Sequence, residues 1–450
     1  MSGRSTRQRK TMKVKVIGAG LAGCEAAWQL AERGFEVELC EMKPVKYSPA
    51  HKYEGFAELV CSNSLKSARV DSACGLLKEE MRRLGSIIVP AAEKTAVPAG
   101  GALAVNRKDF SDEITRIVKN HPKITVLSGE ITEIPEKNAV ICTGPLTSGA
   151  LADKIYEKCG GRLSFYDAAA PIVTAESVDF SIAFYQSRYD KGGADYANCP
   201  MSREEYETFY NALVNAETAP LHEFDKNPDV YEGCMPVEVL AKRGIDSVRY
   251  GCMKPVGLTD PRTGRRPYAA VQLRKENSEG TMFNLVGFQT NLKFGEQKRV
   301  FSLIPGLENA EFVRYGVMHR NSYICSRAYL DGNYMLRGSD NVFFGGQITG
   351  VEGYVESAAS GIIAGRALAD RLSGKEPLKL PATTMLGALT AYVCGSGNES
   401  FSEFQPMGAN MGILPALSEN IRDKREKYAA LAKRSLCDLE KALEMYNNEN

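Results

Sequence analysis

The sequence predicts an α/β protein whose parallel sheet is discontinuous in the chain and carries an inserted α+β domain. Three observations lead there. The segment MKVKVIGAGLAGCEAAWQLAERGFEVELCEMK, from Met12, reads as strand, glycine turn, helix and strand. A second strand followed by a small-residue helix, DNVFFGGQITGVEGYVESAASGIIAGRALA (Asp340–Ala369), returns near the other end. Between them the chain changes character, with many aromatics, short strand-like runs such as RRPYAAVQLR and TMFNLVGFQTNL, and turn signals at Asp260-Pro261, Thr263-Gly264 and Pro305-Gly306.

Taken in order, Val14, Val16 and Ile17 make the first strand apolar, and Gly18-Ala19-Gly20-Leu21-Ala22-Gly23 is a G-x-G-x-x-G turn. Gly18 permits the tight turn, Gly20 lets the backbone approach a pyrophosphate, and Gly23 with Ala27 lets helix and strand pack closely. The helix runs to about Arg33 and its N-terminus offers amide donors and partial positive charge to phosphates. Gly34 stops it, and Phe35 to Cys40 form a second strand that ends at Glu41. Glu41 is placed to accept hydrogen bonds from an adenosine ribose and would repel a 2′-phosphate, which fits FAD or NAD rather than NADP at this site.

Two later segments favour FAD. KNAVICTGPLTS (Lys137–Ser148) is an apolar strand ending in Thr143-Gly144, and the Asp340 segment brings a Gly-Gly turn to a helix start. Gly144, Gly346, Gln347, Gly350 and Val351 are therefore candidates to meet the pyrophosphate, ribityl chain and pyrimidine edge. The competing readings are a glycine-rich turn of no chemical consequence and an ordinary strand–helix packing unit. The expected organisation is a Rossmann-type FAD-binding domain over 12–165 and 321–450, with an inserted substrate- or RNA-facing α+β domain over 166–320. The basic residues 1–11 read as a disordered leader or a non-native remnant.

Composition narrows the chemistry. With 56 basic and 55 acidic residues there is no net field to mark an overall nucleic-acid binder, so any polyanion contact needs a local patch. No apolar run reaches the ~18 residues of a spanning helix, so no membrane partner and a cytoplasmic location are expected. Twelve cysteines fall without C-x-x-C or C-x-x-x-x-C spacing, and with four histidines no metal ligand set emerges. That spacing also excludes a dithiol that would exchange electrons with a flavin. Any acting cysteine acts as a single thiol.

Cys61, in FAELVCSNSLKS, ends an apolar run before polar residues; Cys234, in YEGCMPVEVLAKRG, precedes a helix whose first residue could be Pro236. A thiol at a helix N-terminus has a lowered pKa. Cys40 and Cys142, inside apolar strands, fit buried filler.

GAGLAGCEAAWQLAERG, FAELVCSNSLKS, YEGCMPVEVLAKRG, NLVGFQTNLKFGEQKRVF and GGQITGVEGYVESAASG together resemble TrmFO, the bacterial family of folate- and flavin-dependent tRNA (uracil-5-)-methyltransferases, itself similar to the GidA/MnmG flavoproteins. The likeness runs from about Met12 through FQPMGANMGILPAL (Phe404–Leu417). It implies methylation of uracil C5 in the tRNA T-loop, at uridine 54 in family usage. It also implies 5,10-methylenetetrahydrofolate as carbon donor, FAD as methylene carrier and hydride source, and NAD(P)H as reductant. By the same resemblance Cys234 is the nucleophile that adds to uracil C6, and Cys61 the partner that takes the C5 proton or guards the site. The alternatives are the same chemistry on large-subunit rRNA, a generic FAD-dependent NAD(P)H oxidoreductase, and a non-catalytic FAD/RNA-binding protein.

RNA has to be met by local charge. The candidates are Arg262, Arg265, Arg266, Lys293, Lys298 and Arg299, with Phe288 and Phe294 for base stacking. The charged segment LSENIRDKREKYAALAKRSLCDLEKALEMY reads as an amphipathic surface helix.

Overall fold

A computed structural model describes residues 13–161, 163–188, 193–219, 235–395 and 404–449. The leader 1–11 and Cys234 lie outside the described residues. One parallel sheet organises the site: β1 (Lys13–Ile17), β2 (Glu36–Glu41), β3 (Ile124–Ser128), β4 (Lys137–Ile141) and β5 (Asp340–Phe344), in the order β5-β4-β1-β2-β3. In β1 the buried Val14 and Val16 alternate with exposed Lys13 and Lys15 before the chain enters the glycine turn. β5, from the far end of the sequence, pairs in parallel with β4, so the return segment completes the sheet that the first segment begins.

Two helices follow the strands that flank the site, α1 (Leu21–Glu32) after β1 and α2 (Tyr354–Leu372) after β5. They cross closely because small residues face each other. A Cβ on Gly361 would stand 2.1 Å from the Ala22 carbonyl oxygen, and one on Gly365 would stand 2.8 Å from Ala26 Cα. α1 ends at Glu32, with Gly34 beyond it at φ +91°, the left-handed conformation that a terminating glycine supplies.

The chain between β4 and β5 builds a six-stranded antiparallel sheet in the order Phe184–Tyr185, Tyr196–Met201, Ala269–Lys275, Met282–Leu285, Ile172–Thr174, Phe312–Arg314. Its apolar side chains form a hydrophobic cluster separate from that of the parallel sheet, including Phe209, Phe283, Phe288 and Phe301. The strands Leu163–Ala168 and Met318–Tyr323, paired antiparallel, carry the chain out and back. The short helix expected to begin at Pro236 runs over Val237–Ala241, with Pro236 as its N-cap in extended conformation. The charged C-terminal segment is helical over Lys424–Glu449, and it buries Leu431, Ala432 and Leu439. No helix among the described residues is long and apolar enough to cross a membrane.

Candidate functional site

The C-terminal ends of β1, β2, β4 and β5 open into one cavity of about 450 Å³. This is the crevice where open α/β sheets place their ligands. Gly18, Ala19, Gly20, Leu21, Ala22, Glu41, Gly144, Gly346 and Gln347 all line it, and so does Cys61. Gly23, Gly350 and Val351 are not among the lining residues. Gly23 packs behind the turn, Gly350 faces the ring of Phe404, and Val351 is fully buried.

The glycines divide into two kinds. A Cβ on Gly18 would stand 2.5 Å from the Cys142 carbonyl oxygen, and one on Gly23 would stand 1.7 Å from the Gly18 carbonyl oxygen, so both are demanded by the protein itself. At Gly20 and Gly144 no protein atom lies within 4 Å of the Cβ position. There the backbone is bared to the cavity, which suits close approach of a phosphate chain. Glu41 lines the cavity at the end of β2. Its Oε2 accepts the Ala19 N–H at 2.7 Å and its Oε1 the Lys43 N–H at 3.0 Å, which fixes the carboxylate while leaving lone pairs able to accept from hydroxyl groups. On the opposite wall the Gly346 N–H donates to Ser360 Oγ at 2.7 Å, and Gln347 Nε2 to Glu352 Oε2 at 2.7 Å. These residues fit an extended dinucleotide such as FAD.

Cys61 is partly exposed. Its loop is held from three sides. The Tyr354 hydroxyl, from the first turn of α2, accepts the backbone N–H of Cys61 at 2.8 Å and of Ser62 at 3.4 Å, and lies 2.9 Å from Cys61 Sγ. The hydroxyl and the sulfur lie within hydrogen-bond distance, and either can donate. Burial first, and then the neighbouring sulfur, push that phenol well above its ordinary pKa. Arg107, ion-paired with Glu276 at 2.8 Å, donates to the carbonyls of Leu59 and Val60 at 2.8 and 3.4 Å. Arg314 donates to the Val60 carbonyl as well, and Arg274 Nη2 to Ser62 Oγ at 2.9 Å. Both Arg107 and Arg314 interact electrostatically with the sulfur.

The other thiols differ. Cys40 and Cys142 also border the cavity, but both sit at strand ends where burial raises their pKa. Burial pushes Cys199 and Cys252 up to about 12 and Cys159 up to about 11. Among the described residues no cluster of His, Cys, Asp or Glu could hold a metal ion.

Tyr354, Arg107 and Lys66 were not singled out from the sequence. Lys66 lines the cavity at φ +61°, and its ammonium pairs at 2.9 Å with the buried Glu356 of α2. Tyr354 and Glu356 lie inside the Asp340–Ala369 segment, so the signal was local. What makes them part of the site is contact with a loop from the other half of the domain. Of the RNA-facing candidates, Phe288 is corrected: it is fully buried in the second core, edge-on to Phe301, and cannot stack on a base. Arg262 is paired with Asp260 at 2.9 Å.

A parallel sheet with bared glycines, a fixed carboxylate at the end of β2 and a returning strand–helix unit defines the dinucleotide-binding flavoprotein class. The family model described as "glucose inhibited division protein A" matches residues 13–376. Proteins named methylenetetrahydrofolate–tRNA-(uracil-5-)-methyltransferase TrmFO are 56% identical in Enterococcus faecalis, over 95% of this chain and 97% of that protein, and 58% identical in Heliobacterium modesticaldum, over 96% and 98%. Aquifex aeolicus GidA in its form I crystal shares the fold, with a TM-score of 0.67 at 16% identity over 96% of this chain and 76% of that one. The chain belongs to the GidA family and, within it, to TrmFO.

Proposed function

We propose that the protein methylates C5 of uridine 54 in the T-loop of tRNA, in the cytoplasm, with 5,10-methylenetetrahydrofolate as carbon donor and NAD(P)H as reductant. The observation that carries this reading is the shared cavity. Cys61 lines the same 450 Å³ space as Gly18–Ala22 and Glu41, with its sulfur 2.9 Å from the Tyr354 hydroxyl. Bound FAD supplies the carrier for the one-carbon unit and the hydride that completes the methyl group.

The chain's own residues do the rest. Gly18, Ala19, Gly20, Leu21 and Ala22 present backbone to the pyrophosphate, Glu41 takes the ribose, and Gly144, Gly346 and Gln347 border the remainder. Gly23, Gly350 and Val351 act from behind, by holding these segments in shape. By the family's pattern the Cys234 thiolate adds to uracil C6, which makes C5 nucleophilic, and later leaves. Cys61 accepts the proton from C5 as the general base. The unit over 166–320 is the face offered to the RNA.

The test is covalent trapping. T-loop RNA containing 5-fluorouridine should form a denaturation-resistant complex with the holoenzyme, and Cys234→Ala should lose it while retaining FAD. Trapping by Cys234→Ala at the wild-type level would move the nucleophile elsewhere.

A further inference from the structure

The inserted unit displays an aromatic stack that the methyl-transfer chemistry does not use. Phe294, the first residue of the helix Phe294–Phe301, is 55% exposed. Its ring lies on Tyr315 with centroids 4.8 Å apart and planes 18° apart, and Tyr315 lies in turn on Phe312 at 5.1 Å and 10°. Phe312 reaches the fully buried Phe301 at 6.5 Å. The stack thus runs from the core to solvent, and each ring is held by the one behind it. A lone exposed hydrophobic side chain calls for no explanation. A backed, near-parallel stack whose outermost ring is more than half exposed presents a rigid π-face.

Two further observations say what that face meets. Tyr315 follows Arg314, whose guanidinium donates to the carbonyl of Val60, the neighbour of Cys61. The stack thus adjoins, in sequence, a residue that holds the Cys61 loop. Cations share its helix: Lys293 precedes Phe294, and Lys298 and Arg299 lie exposed further along. Lys293 pairs with Glu217 at 2.5 Å and Arg299 with Glu296 at 2.6 Å, both as half-exposed surface pairs. The Lys293–Glu217 pair, single and exposed, holds little energy, while Arg299 is held by Glu296 through two hydrogen bonds. Flat aromatic faces among cations are how proteins take unstacked nucleotides.

We propose that the Phe312–Tyr315–Phe294 stack is a nucleobase platform. The outer face of Phe294 receives an unpaired base of the substrate RNA close to the uridine that is turned into the cavity, while Lys293, Lys298 and Arg299 follow the phosphates. This rests on the tRNA-methyltransferase reading and adds to it the residues that hold the loop open. Turning a base out costs stacking, and a platform for a neighbouring base offsets part of that cost.

The experiment measures binding of a T-arm RNA to the FAD-loaded protein and to Phe294→Ala, Phe294→Leu and Phe294→Trp, with FAD content and melting temperature reporting folding. Ala and Leu should weaken binding about tenfold, while Trp binds as wild type. Phe294→Ala should leave the salt dependence of binding unchanged, whereas Lys298→Ala should lower its log–log slope by about one. RNA binding by Phe294→Ala as tight as wild type would overturn the proposal. So would a Leu variant as good as Trp, which would mean apolar bulk rather than stacking. A self-associated wild type that Phe294→Ala renders monomeric would assign the ring to a second copy of the chain instead. A wild-type protein that binds neither T-arm nor whole tRNA removes the methyltransferase reading itself and the platform with it.

Discussion

Cys61 and Glu25 show how placement alone sets the chemistry of a side chain. The Cys61 sulfur lies 2.9 Å from the Tyr354 hydroxyl, and the guanidiniums of Arg107 and Arg314 interact electrostatically with it. Tyr354 Oη accepts the backbone N–H of Cys61 at 2.8 Å, so Tyr354→Phe should release that loop and change the rate at which iodoacetamide alkylates Cys61 severalfold. Peptide mapping of labelled protein over time reads this at Cys61 alone; an unchanged rate would show that the hydroxyl does not hold the loop. Glu25 is fully buried on α1 and accepts the N–H groups of Ile87 and Ile88 at 3.2 and 3.0 Å. Burial dominates, and its pKa rises to about 7. A carboxyl whose folded pKa lies above its unfolded value contributes stability that is complete below about pH 4.5 and is lost as pH climbs through about 7. The melting-temperature advantage of wild type over Glu25→Gln should therefore shrink between pH 5 and pH 9, by the equivalent of roughly 3 kcal/mol.

At the scale of elements, the glycine turn and the crossing of α1 with α2 separate ligand demands from packing demands. Gly20→Ala meets no protein atom within 4 Å, so it should leave the melting temperature of the apoprotein unchanged while lowering retained FAD. Gly361→Ala drives a methyl group to 2.1 Å from the Ala22 carbonyl, and overpacking of this kind costs about 1–3 kcal/mol. It should lower the melting temperature with or without FAD. Equal stability losses in the two apoproteins would contradict the division. The first segment was legible because its strand, turn and helix are consecutive and each has its own periodicity. The helix after Cys234 was placed at Pro236, but it is only five residues long and starts at Val237. Elements that short carry too little periodicity to fix their ends.

For the whole molecule, the fold joins a parallel sheet completed by a distant return segment to an antiparallel unit with its own core. The class was legible because glycine and acid spacing survive in a linear reading. The site was only half legible. Glu41 and the turn from Gly18 to Ala22, which line the cavity, lie in one continuous stretch, whereas Tyr354, Arg107 and Arg314 acquire meaning only when separate segments converge on the Cys61 loop. Phe288 and Phe294 were alike on paper, both aromatic beside cations. Folding sent one into the core and left the other in solvent. The central claim is that this converged cavity transfers a folate-derived carbon to a tRNA uracil. The direct measurement incubates the FAD-loaded protein with unmodified tRNA, methylenetetrahydrofolate labelled in its methylene carbon, and NAD(P)H, then maps the labelled nucleotide. Label should appear in 5-methyluridine at position 54 and be lost in Cys61→Ala with FAD retained. Unlabelled tRNA, or full labelling by Cys61→Ala, would contradict it.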